Sequence, residues 1–285
     1  MNNINDLIRA EKHFRSAENI NSQNRSLLRW LGFTLAALGH ENDALNAWKS
    51  SSIQMYEELV FIGSQKRTSN QFQEALLWYD RAIHLYPSIA DPWYYKGLTY
   101  EKLSLYDISI SSFWTGLHQP RLLNIGKSNY YFRLGWTHSQ KQGEPEWIEI
   151  LNFYDKAISI DSFSDNWTLM QTHFAKGEIL MRLNREPEAI EEFKFVVEND
   201  PTHYASRVQL GSLVWSLNKD AELAEQLYWE AIDINPGSKW GYRGLAILLQ
   251  DTQKPDLAIQ MYETVLMLDP QDVFASTQLT RLQQQ

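Results

Sequence analysis

Hydrophobic and polar positions recur along the chain with a period of about 34 residues. The glycines mark this period, because 34 residues separate Gly63 from Gly97 and 34 separate Gly177 from Gly211. A polar, turn-forming segment follows each apolar stretch, as in YPSIADPW at residues 86–93. A period of this length indicates a stacked array of short repeats and not two compact domains.

Each period contains two predicted helices, and the first surrounds the glycine. Apolar residues often lie four before, one before and three after it, as Leu28, Leu31 and Leu35 do around Gly32. These spacings place the apolar side chains on one face of a helix. Charged residues occupy this core-type position in four repeats: Lys96, Lys176, Arg207 and Arg243.

The second helix has a stricter pattern, in which a usually small residue is followed four later by an aromatic residue and seven later by another compact one. Small residues let two helices approach closely, and the ring fills the space between them. Asp91 suits the N-cap and Pro92 the first turn of the helix that follows one of the connecting segments. The seven sets are Ala44/Trp48/Ser51, Ala75/Tyr79/Ala82, Ser109/Phe113/Gly116, Ile150/Tyr154/Ala157, Ala189/Phe193/Val196, Ala224/Tyr228/Ala231 and Ala258/Tyr262/Val265.

These residues resemble the signature of the tetratricopeptide repeat (TPR) family. GLTYEKL after Trp93, and EALLWYDRAIHLYP at 74–87, match it closely. The resemblance implies an all-α fold, a right-handed α-α superhelix of about seven helix-turn-helix repeats over residues 25–272. Residues 1–24 are predicted as a single N-terminal helix and 273–285 as a C-terminal capping helix, so that 1–285 forms one solenoid domain.

The middle of the array, residues 117–169, is predicted to be irregular. Gly97 and Gly135 are 38 residues apart, and Gly135 and Gly177 are 42 residues apart. The extra residues indicate either a bend or partner-contact region, or loop insertions that a surface tolerates at little cost.

A second stripe of the first helices lies almost opposite the core stripe. The resemblance implies that this stripe lines a concave groove. Its side chains either pack between neighbouring first helices or form a partly aromatic trough for a segment of a partner. Tyr94, Trp136 and Trp215 are the best anchor candidates. The predicted partner-binding residues are Phe33, Val60, Tyr94, Leu98, Phe132, Trp136, Phe174, Met181, Val208, Trp215 and Leu245.

The groove is not predicted to be a carboxylate clamp of the chaperone-binding type. In the TPR subgroup with such a clamp, lysine, arginine and asparagine occupy the stripe. Here Arg29, Arg67 and Asn129 are isolated among apolar and acidic residues. The second-helix face, with Trp78 and Trp114 among its aromatic residues, is an alternative binding surface.

Composition restricts the chemistry further. Formal net charge is −9, and residues 129–285 contain 23 acidic against 13 basic residues, which does not favour nucleic acid. Cysteine is absent, and no two of the seven histidines sit at metal-binding helical spacing with a carboxylate. No nucleotide-binding glycine motif occurs. We therefore expect neither enzymatic activity nor a cofactor.

The most apolar run, residues 27–39, is too short for a membrane span, and the N-terminal residues show no signal-peptide pattern. A cytoplasmic protein is expected, unless the chain is a fragment of a larger one. The predicted function is a scaffold or adaptor that binds a peptide or helical segment of a partner through apolar anchors. Two alternatives stay open, a TPR module of a larger bacterial assembly such as envelope polysaccharide machinery, and a carbohydrate-binding module. The sequence does not indicate the oligomeric state.

Overall fold

The computed structural model describes residues 4–21, 24–51, 54–141 and 145–284. Within these ranges the regular secondary structure is helical, and the chain divides into two compact units, residues 1–143 and 144–285. Successive helices pack against each other within each unit. The predicted all-α solenoid of paired helices is thus confirmed.

The first unit contains a leading helix followed by helix pairs. The leading helix, α1, packs on α2, and Phe14 of α1 lies against the core formed by the first pairs. The helices are α1 (Ile4–Ile20), α2 (Arg25–Ala37), α3 (Glu41–Ser51), α4 (Gln54–Thr68), α5 (Phe72–Leu85), α6 (Asp91–Lys102), α7 (Tyr106–Leu117) and α8 (Lys127–Gln140).

A first-type helix is the first helix of a repeat, and a second-type helix is the second. The second unit begins with a second-type helix and ends with a single helix that packs on α15. The last turn of one first-type helix, Val214–Asn218, is π-helical. The helices are α9 (Trp147–Ile160), α10 (Asn166–Arg182), α11 (Glu186–Asn199), α12 (Tyr204–Leu213), α13 (Ala221–Ile234), α14 (Lys239–Asp251), α15 (Pro255–Leu268) and α16 (Val273–Gln283).

The core of both units is built from the predicted second-helix sets. Every member of the seven sets is buried. The glycine of the first helix lies directly against the ring of the second, and a Cβ added to Gly63 would lie 2.5 Å from Cε1 of Tyr79. The glycine period is therefore a packing requirement. Trp93 and Tyr100, which the pattern places in the core, are only half-buried.

The four cations at core-type positions bury their stems and carry their charged groups to carboxylates. Lys96 reaches Asp80 at 2.6 Å, and Arg207 reaches Glu230 at 3.1 Å. In the same way Lys176 bridges Asp155 and Glu192, and Arg243 lies 3.6 Å from Asp272. The charged residues that interrupt the apolar pattern of the first helices therefore form ion pairs. In three repeats the ion pair connects the first helix to a second helix.

The extra residues of the irregular middle have two different structural roles. The loop after α7 pairs with the turn before α6, where the N–H of Ala90 donates to Arg121 O and the N–H of Arg121 donates to Ser88 O. The extra residues near SFSDNW extend α10, which begins at Asn166 and has 17 residues against 12 in α6. The insertion near GEPEW lies largely outside the described residues.

The expectation that Asp91 caps α6 is wrong. Asp91 is fully buried, and its carboxylate accepts the backbone N–H groups of Asn124 at 2.8 Å and Leu123 at 3.3 Å. It therefore fixes the inserted loop instead of the start of its own helix. Asp165 and Asp272, by contrast, do cap α10 and α16.

Candidate functional site: the first-helix face

All eleven predicted partner-binding residues lie on first-type helices. We call their surface in each unit the first-helix face. In the first unit, Phe33, Val60, Leu98 and Trp136 are half-buried and keep part of their surface accessible. In the second unit the half-buried members are Phe174, Met181, Val208 and Trp215.

The other three predicted residues are buried. Tyr94 is 5% exposed, and its ring lies 5.1 Å from the ring of Tyr130 and 5.6 Å from that of Phe113. Phe132 and Leu245 are 4% and 0% exposed. These three side chains pack between neighbouring helices, which is the first of the two interpretations of the stripe given above. They offer little surface to a partner.

Contacts to their rings hold two accessible members of the first unit, Phe33 and Trp136, in place. The ring of Phe33 meets Trp48 edge to face at 5.2 Å and lies 6.0 Å from Trp78. The guanidinium of Arg133 lies 5.9 Å from the ring centre of Trp136. Rings held in this way lose little conformational freedom when a partner covers them.

Several polar groups on the face of the first unit are paired internally. Glu101 accepts a hydrogen bond from Thr137 Oγ1 at 2.7 Å and lies 3.4 Å from the Arg133 guanidinium. Burial raises the pKa of Glu101, and the charge of Arg133 opposes this shift. Arg29 donates from Nε to Glu58 at 2.6 Å, and Asn129 is 2% exposed. Two of the three groups that could serve a carboxylate clamp are thus engaged or buried.

In the second unit a histidine supports the face. The ring of His203 lies 4.9 Å from that of Phe174, and its Nδ1 accepts the N–H of Ser206 at the start of α12. The amide of Gln171 lies 3.1 Å from Nε2. Burial lowers the pKa of His203, so this ring is neutral at pH 7 and adds no positive charge to the face.

Trp215 lies in the π-helical segment and its side chain is fixed by two contacts. Its Nε1 donates to Asp251 at 2.9 Å, and the Lys219 ammonium lies 5.0 Å from the ring centre. Lys219 has a positive φ of 56° and ends the segment. Trp215 therefore lies where the helix departs from the 3.6-residue period on which the stripe is based.

Sequence reasoning missed two exposed aromatic residues of the first unit. Trp30 and Phe61 are 51% and 60% exposed, and each lies two residues before the repeat glycine. That position falls between the core stripe and the predicted groove stripe, so neither stripe includes it. On the second-type helices, Trp78 and Trp114 are half-buried, and Trp229 is 43% exposed.

Among the residues that the structure describes, no three His, Asp or Glu side chains are grouped so that they could hold a metal ion. No helix within those ranges has the length and apolar character needed to cross a bilayer.

Comparison with known proteins identifies the repeat. Residues 174–239 match the tetratricopeptide repeat family. No curated protein matches the chain. This match confirms the resemblance seen in the sequence.

Three solved structures share the fold at low sequence identity. The APC/C hetero-tetramer Cut9–Hcn1 aligns over 98% of this chain and 54% of the other, at 15% identity and TM-score 0.61. Pseudomonas aeruginosa pilF aligns over 80% and 98%, at 11% identity and TM-score 0.66. Yeast Tom70 aligns over 98% and 59%, at 16% identity and TM-score 0.52. The chain spans about half the length of the Cut9–Hcn1 chain that it matches.

Proposed function

We propose that this TPR protein is a non-catalytic scaffold that binds a peptide or helical segment of a partner protein on its first-helix face. One observation carries the proposal. In each unit, four apolar side chains of first-type helices keep accessible surface where a purely structural residue would be enclosed. Accessible apolar side chains on more than one helix of a unit suit a partner segment that contacts more than one repeat.

Each unit supports the proposal by itself. The first unit presents Phe33 and Trp136, and the second presents Phe174 and Trp215, in each case together with two aliphatic or thioether side chains. Aromatic side chains contribute disproportionately to binding energy in protein interfaces. We therefore propose apolar anchors on the partner.

The charge of the chain favours a protein partner over nucleic acid. Net charge is −9, whereas binding to phosphates requires clustered Lys and Arg. The pairing of Arg29 with Glu58 and the burial of Asn129 support the prediction that the face is no carboxylate clamp.

Site-specific photocrosslinking in the source lysate tests this proposal with matched pairs of positions. A photoreactive phenylalanine replaces Leu98 or Met181 on the first-helix face, or Leu77 or Met267 on second-type helices. Leu77 and Met267 are 46% and 75% exposed, so they are more accessible than the test positions. We expect one partner to crosslink from Leu98 or Met181 and not from the two controls.

The crosslinked segment then provides a direct binding assay. Mapped by mass spectrometry and synthesised as a peptide, it should bind the purified chain. Val60→Asp or Val208→Asp should weaken binding, because each places a charge among the apolar anchors. Crosslinks from Leu77 or Met267 alone would move the binding surface to the second-type helices and contradict the proposal.

A further inference from the structure

Glu178 is an acidic residue within the apolar row of the second unit. It follows the repeat glycine of α10 directly and lies one turn from both Phe174 and Met181. Its side chain is half-buried, and among the described residues no hydrogen bond or ion pair joins its carboxylate. A half-buried charge without a partner is unfavourable in a free protein.

Two other half-buried carboxylates of this unit, those of Glu192 and Glu230, have basic partners. Glu192 lies 2.7 Å from Lys176 and 2.6 Å from Nδ1 of His173. Glu230 pairs with Arg207 at 3.1 Å. Pairing of this kind offsets the cost of removing a carboxylate from water, and Glu178 lacks it.

Arg182 is the cation whose charge acts on Glu178, but no ion pair joins the two among the described residues. Arg182 lies one turn further along α10, but its guanidinium rests 4.8 Å over the ring of Trp147. His203, which faces Phe174, is neutral at pH 7 for the reason given above. Burial raises the pKa of Glu178, and the charge of Arg182 opposes this only in part.

We infer that Glu178 receives a lysine or arginine side chain of the partner segment, while Phe174 and Met181 receive apolar residues beside it. The inference rests on the proposed function and specifies its partner. It is supported by charge complementarity, because residues 144–285 contain 23 acidic and 11 basic residues, a net charge of −12. A basic side chain placed on Glu178 would supply the missing hydrogen bonds and ion pair.

Selection from a phage library of random dodecapeptides tests this pairing on the full chain. Wild type, Glu178→Gln and Glu178→Lys are compared with Glu198→Gln, which removes the same charge from an exposed position on α11. Circular dichroism first checks that each variant is helical. We expect wild type and Glu198→Gln to select peptides with a basic residue next to apolar ones.

Glu178→Gln should retain the apolar preference and lose the basic one, and Glu178→Lys should select an acidic residue in its place. The best basic peptide should bind Glu178→Gln about tenfold more weakly than wild type. Equal basic enrichment with wild type and Glu178→Gln would overturn the inference and leave the proposed function intact. If none of these proteins selects peptides enriched in apolar residues, the result would contradict both the proposed function and the inference.

Discussion

Arg81 on α5 forms two hydrogen bonds with the carboxylate of Glu41 on α3, from Nε at 2.8 Å and from Nη2 at 2.7 Å. The Arg81 side chain is only 6% exposed, and its guanidinium lies 4.4 Å over the ring of Trp78. One planar cation thus connects the second-type helices of two successive repeats. A buried guanidinium of this kind contributes through packing as well as charge.

We expect Arg81→Ala to destabilise the chain by about 3 kcal/mol, because it removes the buried packing and leaves Glu41 without its partner. Arg81→Lys should lose about 1 kcal/mol, since an ammonium cannot make both bonds at once. Urea unfolding followed by circular dichroism measures both changes. Arg185→Ala, which breaks an exposed pair, is the control and should leave the midpoint unchanged. Equal midpoints for Arg81→Ala and wild type would contradict this role.

Gly63→Ala tests the close approach of the two helices in a repeat. Alanine favours a helix by about 1 kcal/mol over glycine, so an exposed site would be stabilised. Here the added methyl group would overlap Tyr79, and we expect a net loss of about 1–3 kcal/mol. Gly237→Ala is the control, because the nearest atom to its new Cβ would be 3.6 Å away. A stabilised Gly63→Ala would show that the ring moves aside without cost.

The core could be predicted from the sequence because it depends on local spacing. In each second helix a compact residue, an aromatic one and another compact one share a face, and the structure buries every member. The first-helix face could be placed but not divided into buried and accessible residues. Tyr94 is enclosed by Tyr130, which lies in the next repeat beyond an irregular loop. Its burial therefore depends on a contact that no periodicity within one helix contains.

Two further features lay beyond the pattern for identifiable reasons. Trp30 and Phe61 occupy a position between the two stripes, so neither stripe includes them. Asp91 has the sequence context of a helix cap, yet its carboxylate binds a loop more than thirty residues later. Sequence spacing predicts which residues share a helix face, and it does not show which distant segment a polar side chain will meet.

Asp91→Ala should release the inserted loop without unfolding the repeats. The substitution leaves the N–H groups of Leu123 and Asn124 without their acceptor, which weakens the bond between Arg121 and the preceding turn. We expect faster trypsin cleavage after Arg121, measured by mass spectrometry of the early fragments. Trypsin should cleave Asp107→Ala, which changes an exposed site on α7, at the wild-type rate. An unchanged rate for Asp91→Ala would mean that the backbone pairing alone holds the loop.

Glu178→Gln should stabilise the free protein at neutral pH. Burial raises the pKa of Glu178 in the folded chain, so the folded state binds this proton more tightly than the unfolded state does. The charged form therefore destabilises the fold above the folded pKa, and this cost disappears as pH falls through that pKa toward the unfolded value of 4.5. Urea midpoints should be higher for Glu178→Gln than for wild type at pH 7 and equal below pH 4.5. Glu198→Gln, at an exposed site, should match wild type throughout. A Glu178→Gln midpoint below that of wild type at pH 7 would show that this carboxylate stabilises the free fold. The carboxylate would then not need a basic residue from a partner.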